Sequence, residues 1–306
     1  MRMIHRRPWF VVISTFASLL VLADLAVAAT PTKVLGTPRN EFDGTAESGY
    51  FAYSQSRPGE PNRFDAYLKA PGLARVKVNA VGTQGYHPSL DMANATLGDA
   101  LVFVQKGGGD ADLKIWDVGA GGRRNPPVGV NTAASEAKPS LDGDHLLFGR
   151  GPADRVSIIR VILFDLTSNT SMVIDTAPAN GIVYPGTLSG DWATWTECSP
   201  TDCRVWRYQI STATKTEVPS GARLIYTSAV GQDGTVWFVQ SGLGCGANVK
   251  IRRHELGAPP TTLVDFAPGV DANISDLDES VATRRLYFAR VRCSSHNWNI
   301  YRVAGD

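Results

Sequence analysis

Lys138-Pro139-Ser140-Leu141-Asp142-Gly143-Asp144-His145-Leu146-Leu147-Phe148-Gly149, followed by Val161-Ile162-Leu163-Phe164-Asp165-Leu166, is the stretch that decides the fold. Lys138 to Leu141 reads as a short strand, Asp142-Gly143-Asp144 as a tight turn and His145 to Gly149 as a second strand. A loop then leads to a third strand at Val161 to Leu166, and Thr167-Ser168-Asn169 turns the chain into a fourth at Thr170 to Ile174. Strands of ~5 residues bounded by Gly, Asp, Asn and Ser are the expected hairpin chemistry, because those residues accept the backbone angles of tight turns. The unit recurs. Aromatics in the second strand fall at Tyr53, Phe103, Phe148, Trp195, Phe238 and Phe288, spaced 50, 45, 47, 43 and 50 residues apart. A second series in the third strand runs Tyr67, Trp116, Phe164, Tyr208, His254 and Tyr301, spaced 49, 48, 44, 46 and 47. Two registers drifting together at one period mark a repeated supersecondary unit.

Four short antiparallel strands cannot bury their faces alone, so the units must pack on one another. Arranged radially they give an all-β fold, a six-bladed β-propeller of four-stranded antiparallel blades, with the aromatics wedged between neighbours. The last repeat ends at Tyr301-Arg302-Val303 and lacks a fourth strand. Pro31 to Gly36, left over before the first repeat, is placed to supply it, so that the N-terminal strand completes the last blade and leaves no open sheet edge. The Pro139-to-Asp144 turn with Leu146-Leu147-Phe148 and Leu163-Phe164-Asp165-Leu166 resembles the WD-repeat-like blades of TolB-like six-bladed propellers. Leu101 to Gln105 with Ile115-Trp116-Asp117 is similar. TolB also carries an N-terminal α/β domain, for which the repeats here leave no room, so the resemblance implies a fold and no particular task.

Arg2, Arg6 and Arg7, then the apolar Phe10 to Leu22, then Ala26-Val27-Ala28, form the pattern of a cleaved signal peptide. Residues 1–28 are therefore expected to leave a secreted or periplasmic protein, with 29–306 as one propeller domain. That removes three of 30 basic and one of 29 acidic residues, leaving 27 against 28, a net charge of −1. No basic stripe survives, which argues against a nucleic-acid partner, and no second apolar run is long enough to span a membrane. Four cysteines in an exported chain read as disulfides. Cys198 and Cys203 flank one hairpin loop, and Cys245 and Cys293 occupy equivalent loops of adjacent repeats, so the expected pairs are Cys198–Cys203 and Cys245–Cys293.

No nucleophile motif, His-Glu-x-x-His or His-x-His occurs, and no catalytic residue, metal or cofactor is expected. Position carries the better clue. Aligned repeats put His87, Lys138, Tyr184, Tyr226 and Asn273 at the mouth of a central channel, a varied polar set suited to a small polar ligand. The loops between second and third strands open on the same face and vary most; Arg57, Arg155 and Trp298 are their candidate contacts. These features point to a monomeric binding scaffold for another extracytoplasmic protein or an envelope glycan. The competing expectation is a sugar-directed lyase or hydrolase at the channel mouth, with His87 and Lys138 as acid and base.

Overall fold

The structure is a computed structural model that describes residues 29–153, 157–221, 225–241, 247–266, 273–280, 283–292, 294 and 297–305, with the side chains of Tyr226, Asn273 and Arg292 outside that description. The expected signal peptide, Arg155, Cys245 and Cys293, and so the expected Cys245–Cys293 pair, also lie outside the described residues.

The chain opens with β1 (Thr32–Leu35) and then lays down six antiparallel sheets of four strands. Blade 1 is β2 (Glu41–Glu47), β3 (Tyr50–Arg57), β4 (Glu60–Lys69) and β5 (Val76–Lys77). Blade 2 is β6 (Gln84–Asn94), β7 (Gly98–Lys106), β8 (Ala111–Asp117) and β9 (Gly122–Arg124). Blade 3 is β10 (Ser135–Asp142), β11 (His145–Gly151), β12 (Arg160–Asp165) and β13 (Thr170–Thr176), and blade 4 is β14 (Ile182–Ser189), β15 (Trp192–Cys198), β16 (Cys203–Gln209) and β17 (Thr214–Val218). Blade 5 is β18 (Ile225–Val230), β19 (Val236–Ser241), β20 (Val249–His254) and β21 (Thr261–Phe266). Blade 6 is β22 (Asn273–Ser280), β23 (Arg285–Arg292) and β24 (Asn297–Ala304), with β1 on its outer edge. Thr32 pairs with Arg302 and Lys33 with Tyr301, so the N-terminal strand closes the last blade as the repeat pattern requires. Among the described residues there is no helix, and therefore none long and apolar enough to cross a membrane.

The core is divided among the seams between blades. One cluster joins Val102, Leu113 and Ile115 of blade 2 to Leu146, Phe148 and Phe164 of blade 3. Another joins Val161 and Leu163 of blade 3 to Val183 and Trp195 of blade 4, and the pattern repeats around the ring. Among the described residues, the seam between blades 6 and 1 is the leanest, with Tyr53, Tyr287 and Ile300 as its buried members. All six aromatics of the first series are at most 2% exposed, which is what a wedge between two sheets demands. Gly44 sits at that last seam because an added Cβ would lie 2.7 Å from Ile300 Cγ2.

The innermost strands of adjacent blades share no sheet, so side chains tie them. Leu141 N–H donates to Ser89 Oγ (2.9 Å), Leu188 N–H to Ser140 Oγ (2.8 Å), Val230 N–H to Thr187 Oγ1 (2.9 Å) and Leu277 N–H to Thr227 Oγ1 (3.2 Å). Toward the opposite end of the channel, carboxylates take over the same task. Glu47 accepts from Met92 N–H (2.9 Å), Asp91 from Gly143 N–H (2.9 Å) and Asp142 from Gly190 N–H. Gly143 and Gly190 both have φ +55°, the left-handed region that glycine enters at no steric cost.

Candidate functional site

Every innermost strand carries an irregularity in its pairing with the next strand, and this places the site. In blades 1, 2 and 3 the register slips between Phe42 and Thr45, Tyr86 and Ser89, and Ala137 and Ser140; in blade 6 it slips between Ser275 and Leu277. The residue at each slip is left-handed and is not glycine: Asp43 (φ 53°), His87 (φ 51°), Lys138 (φ 48°) and Asp276 (φ 51°). Such a conformation costs an L-residue about 1–2 kcal/mol, and it turns each side chain out of the pleat toward the channel.

Four polar side chains from four blades thereby meet. His87 Nδ1 lies 2.8 Å from Asp43 Oδ1, and the His87 backbone N–H reaches Asp43 Oδ2 at 3.0 Å. Ser54 Oγ–H also donates to Asp43 Oδ2, at 2.7 Å. Lys138 Nζ donates to Asp276 Oδ1 at 3.1 Å, and Ser275 Oγ–H to Asp276 Oδ2 at 2.9 Å. Burial acts to raise the pKa of Asp43, but the facing His87, its hydrogen bond and Lys138 outweigh it and hold the carboxyl well below its ordinary value. Burial acts to lower that of Lys138, yet the charges of Asp276 and Asp43 raise it, so the side chain stays an ammonium. One donor atom each of Asp43, His87 and Asp276 lie within 4.8 Å of one another, the one group of three His, Cys, Asp or Glu so placed among the described residues.

Three spaces open around this cluster. A cavity of about 60 Å³ lies between Asp43, His87, Lys138 and Asp276, floored by Ser89, Ser140, Thr187 and Thr227 of the hydroxyl ties. A groove of about 400 Å³ runs outward from Asp43, His87 and Asp276 along Phe42, Asn62, Phe64, Gln84, Tyr86 and Lys106. A third space of about 140 Å³ continues past Tyr86, His87 and Lys106 to Lys138 and Tyr184. Phe42 packs edge-on against Phe64 (5.4 Å between centroids) and at a tilt against Trp298 (5.0 Å), so blade 6 backs the apolar wall of the groove.

The residues singled out from sequence are placed as follows. His87 and Lys138 are in the cluster, Tyr184 lines the third space beside Lys138, and Trp298 supports Phe42. Arg57 is turned to Asp65 (2.8 Å) and the Thr83 carbonyl, within a neighbouring groove of about 340 Å³ that also includes Pro38, Arg39 and Asn297. Cys198 and Cys203 form a disulfide across the β15–β16 pair. Asp43 and Asp276 escaped the sequence reading. Asp43-Gly44-Thr45 aligns with His87-Pro88-Ser89 and Lys138-Pro139-Ser140, so its signal was present. Blade 6 leaves one inner-strand residue unpaired at its slip where blades 1 to 3 leave two, and the alignment there fell on Asn273 in place of Asp276.

Fold and site together define a six-bladed β-propeller with a charged cluster and an aromatic groove at one channel mouth. The chain is TolB-like in that fold. It aligns with the crystal structure of TolB from Acinetobacter baumannii at 14% identity and TM-score 0.55, covering 84% of this chain and 64% of that one. It aligns with oligogalacturonate lyase from Vibrio parahaemolyticus at 13% identity and TM-score 0.56, covering 89% and 79%. The chain thus spans a little under two thirds of the TolB length. No protein-family model and no curated protein sequence matches it.

Proposed function

We propose that this protein is an extracytoplasmic binding propeller that takes its ligand, a segment of another extracytoplasmic protein or an envelope glycan, in the groove at the channel mouth between blades 6, 1 and 2. One observation carries the reading: four non-glycine residues of four blades hold left-handed backbone at their strand slips, and their side chains meet around a cavity that adjoins the inner end of the groove. Strain of this kind persists where the surrounding fold enforces it, and it clusters at ligand sites. The groove's volume lies in the range of small-ligand sites, and aromatic walls with a few convergent polar groups suit a sugar ring or an aromatic side chain. TolB, whose propeller this one resembles, is a precedent for the architecture. The disulfide, with the signal-peptide pattern, supports an oxidising compartment outside the cytoplasm; N-terminal sequencing of the mature protein should begin at Ala29. The domain is proposed to act as a monomer, which size-exclusion chromatography with light scattering checks.

Thermal shift against neutral and acidic oligosaccharides and against peptides tests the binding reading, because anything that binds the folded state raises Tm. A stabilising compound whose effect is lost in Phe64→Ala supports the groove; a panel without a stabilising member counts against it.

The Asp43–His87 pair favours one second reading, a lyase or hydrolase acting on a sugar. A carboxylate that orients an imidazole is the usual arrangement of a general base, and the oligogalacturonate lyase likeness provides a fold precedent. In that reading His87 abstracts a proton and the Lys138 ammonium stabilises developing negative charge. Release of unsaturated oligosaccharide from a uronate polymer, followed by ultraviolet absorbance and abolished in His87→Asn, would establish it; a flat trace rejects it.

A further inference from the structure

We propose that the channel mouth is a divalent-metal site, with Asp43, His87 and Asp276 as ligands and Lys138 as a tethered counter-ion that the metal displaces. The inference goes beyond ligand binding in the groove and does not depend on it.

The donor atoms are already grouped, within 4.8 Å of one another. The 2.8 Å between His87 Nδ1 and Asp43 Oδ1 is close to the ~3.0 Å that separates neighbouring ligands around an ion with bonds of about 2.1 Å. Each carboxylate has one oxygen tied back by a hydroxyl. Ser54 and the His87 backbone N–H hold Asp43 Oδ2, and Ser275 holds Asp276 Oδ2. In each, Oδ1 is turned toward a cation or imidazole across the cavity. Outer hydrogen bonds of this sort fix metal-binding carboxylates in orientation. The ligands stand on three different blades, so the ring as a whole fixes their geometry. The adjoining cavity of about 60 Å³ leaves room for water to complete the coordination sphere.

The charges decide how such a site works. Two carboxylates converge on one point, and Lys138, 3.1 Å from Asp276, is the cation placed to neutralise them. A metal ion takes over that role: Asp276 Oδ1 exchanges the ammonium for the ion, and the proton shared by His87 and Asp43 passes to water. One imidazole nitrogen with two carboxylate oxygens suits first-row ions such as Mn²⁺ or Zn²⁺ better than Ca²⁺ or Mg²⁺, which prefer oxygen alone.

The test is isothermal titration of chelator-treated, full-length mature protein with MnCl₂, ZnCl₂ and CaCl₂. One site per chain of about micromolar affinity for Mn²⁺ or Zn²⁺ is expected, with Ca²⁺ weaker by at least about tenfold. His87→Asn and Asp276→Asn accommodate left-handed backbone, and each should weaken binding by about tenfold or more. Lys138→Met removes the competing charge and should tighten it. Circular dichroism and thermal melts verify that each variant is folded. Absence of a site in the wild type, affinity unchanged in both asparagine variants, or weakened binding in folded Lys138→Met would each overturn the proposal.

Discussion

Replacing Ser140 by alanine removes a single oxygen, and the structure states what that oxygen does. Ser140 Oγ accepts the Leu188 N–H at 2.8 Å, across the seam between blades 3 and 4. Both residues are only 5% exposed, and the innermost strands they belong to share no ladder that could supply a substitute. Ser140→Ala therefore leaves a buried backbone donor without its partner, a loss of about 1–3 kcal/mol. Ser140→Thr keeps the oxygen, and threonine already performs this role at Thr187 and Thr227, so its cost should stay below about 1 kcal/mol. Urea titration followed by tryptophan fluorescence reads both, the midpoint shifting at constant slope. If Ser140→Ala and Ser140→Thr unfold at the same urea concentration as the wild type, the hydroxyl ties do not hold the blades together and the reasoning fails.

Burial pushes Glu47 and Glu279 up to about 7 and Asp91 up to about 6, near the opposite end of the channel from Asp43, His87 and Asp276. Because these folded-state values exceed the unfolded ones, the stability they contribute is complete below about pH 4.5 and is lost as pH rises through 6 to 7. Tm should fall across that window, and Glu47→Gln should flatten the fall; a Tm rising from pH 5 to 8 with no effect of the variant contradicts this. In the core, Phe148→Ala should cost about 3–5 kcal/mol and Ile300→Ala, at the lean closing seam, about 2–5 kcal/mol, both by urea denaturation. Replacing Cys198 and Cys203 together by serine opens a short loop and should cost about 2 kcal/mol, measured in the same way.

The sequence showed the ring because a propeller repeats its buried aromatic at a fixed interval, and each seam between blades needs one. Phe103, Phe148 and Trp195 could be read as core from spacing alone. The closing strand was legible for a similar reason: Pro31 to Gly36 lay outside the six repeats, and β1 within that segment pairs with β24 at the outer edge of blade 6. The second aromatic series was less uniform. Phe164 is 1% exposed, whereas Tyr67, Trp116 and Tyr301 are half-buried, because the third strand lies farther from the axis and its seam is partly open to solvent. In the Pro-Ser-Leu triplets at 88–90 and 139–141 the strand was visible and the purpose of the serine was not. That hydroxyl acts on the next blade, more than 45 residues away, and no local pattern records it. The site was half legible. His87 and Lys138 stood out as polar residues at equivalent positions, and Asp43 holds the same place in the aligned Asp43-Gly44-Thr45, whereas the shorter slip of blade 6 shifted its alignment away from Asp276.

The groove ending at Asp43, His87 and Asp276 is the proposed binding site of this propeller. Thermal shift of the wild type, Phe64→Ala and His87→Asn, each against the same panel of neutral and acidic oligosaccharides and peptides, tests it most directly. At least one compound should raise the wild-type Tm in a concentration-dependent way and lose that effect in both variants. A compound that stabilises all three proteins equally, or a panel that stabilises none, would contradict it.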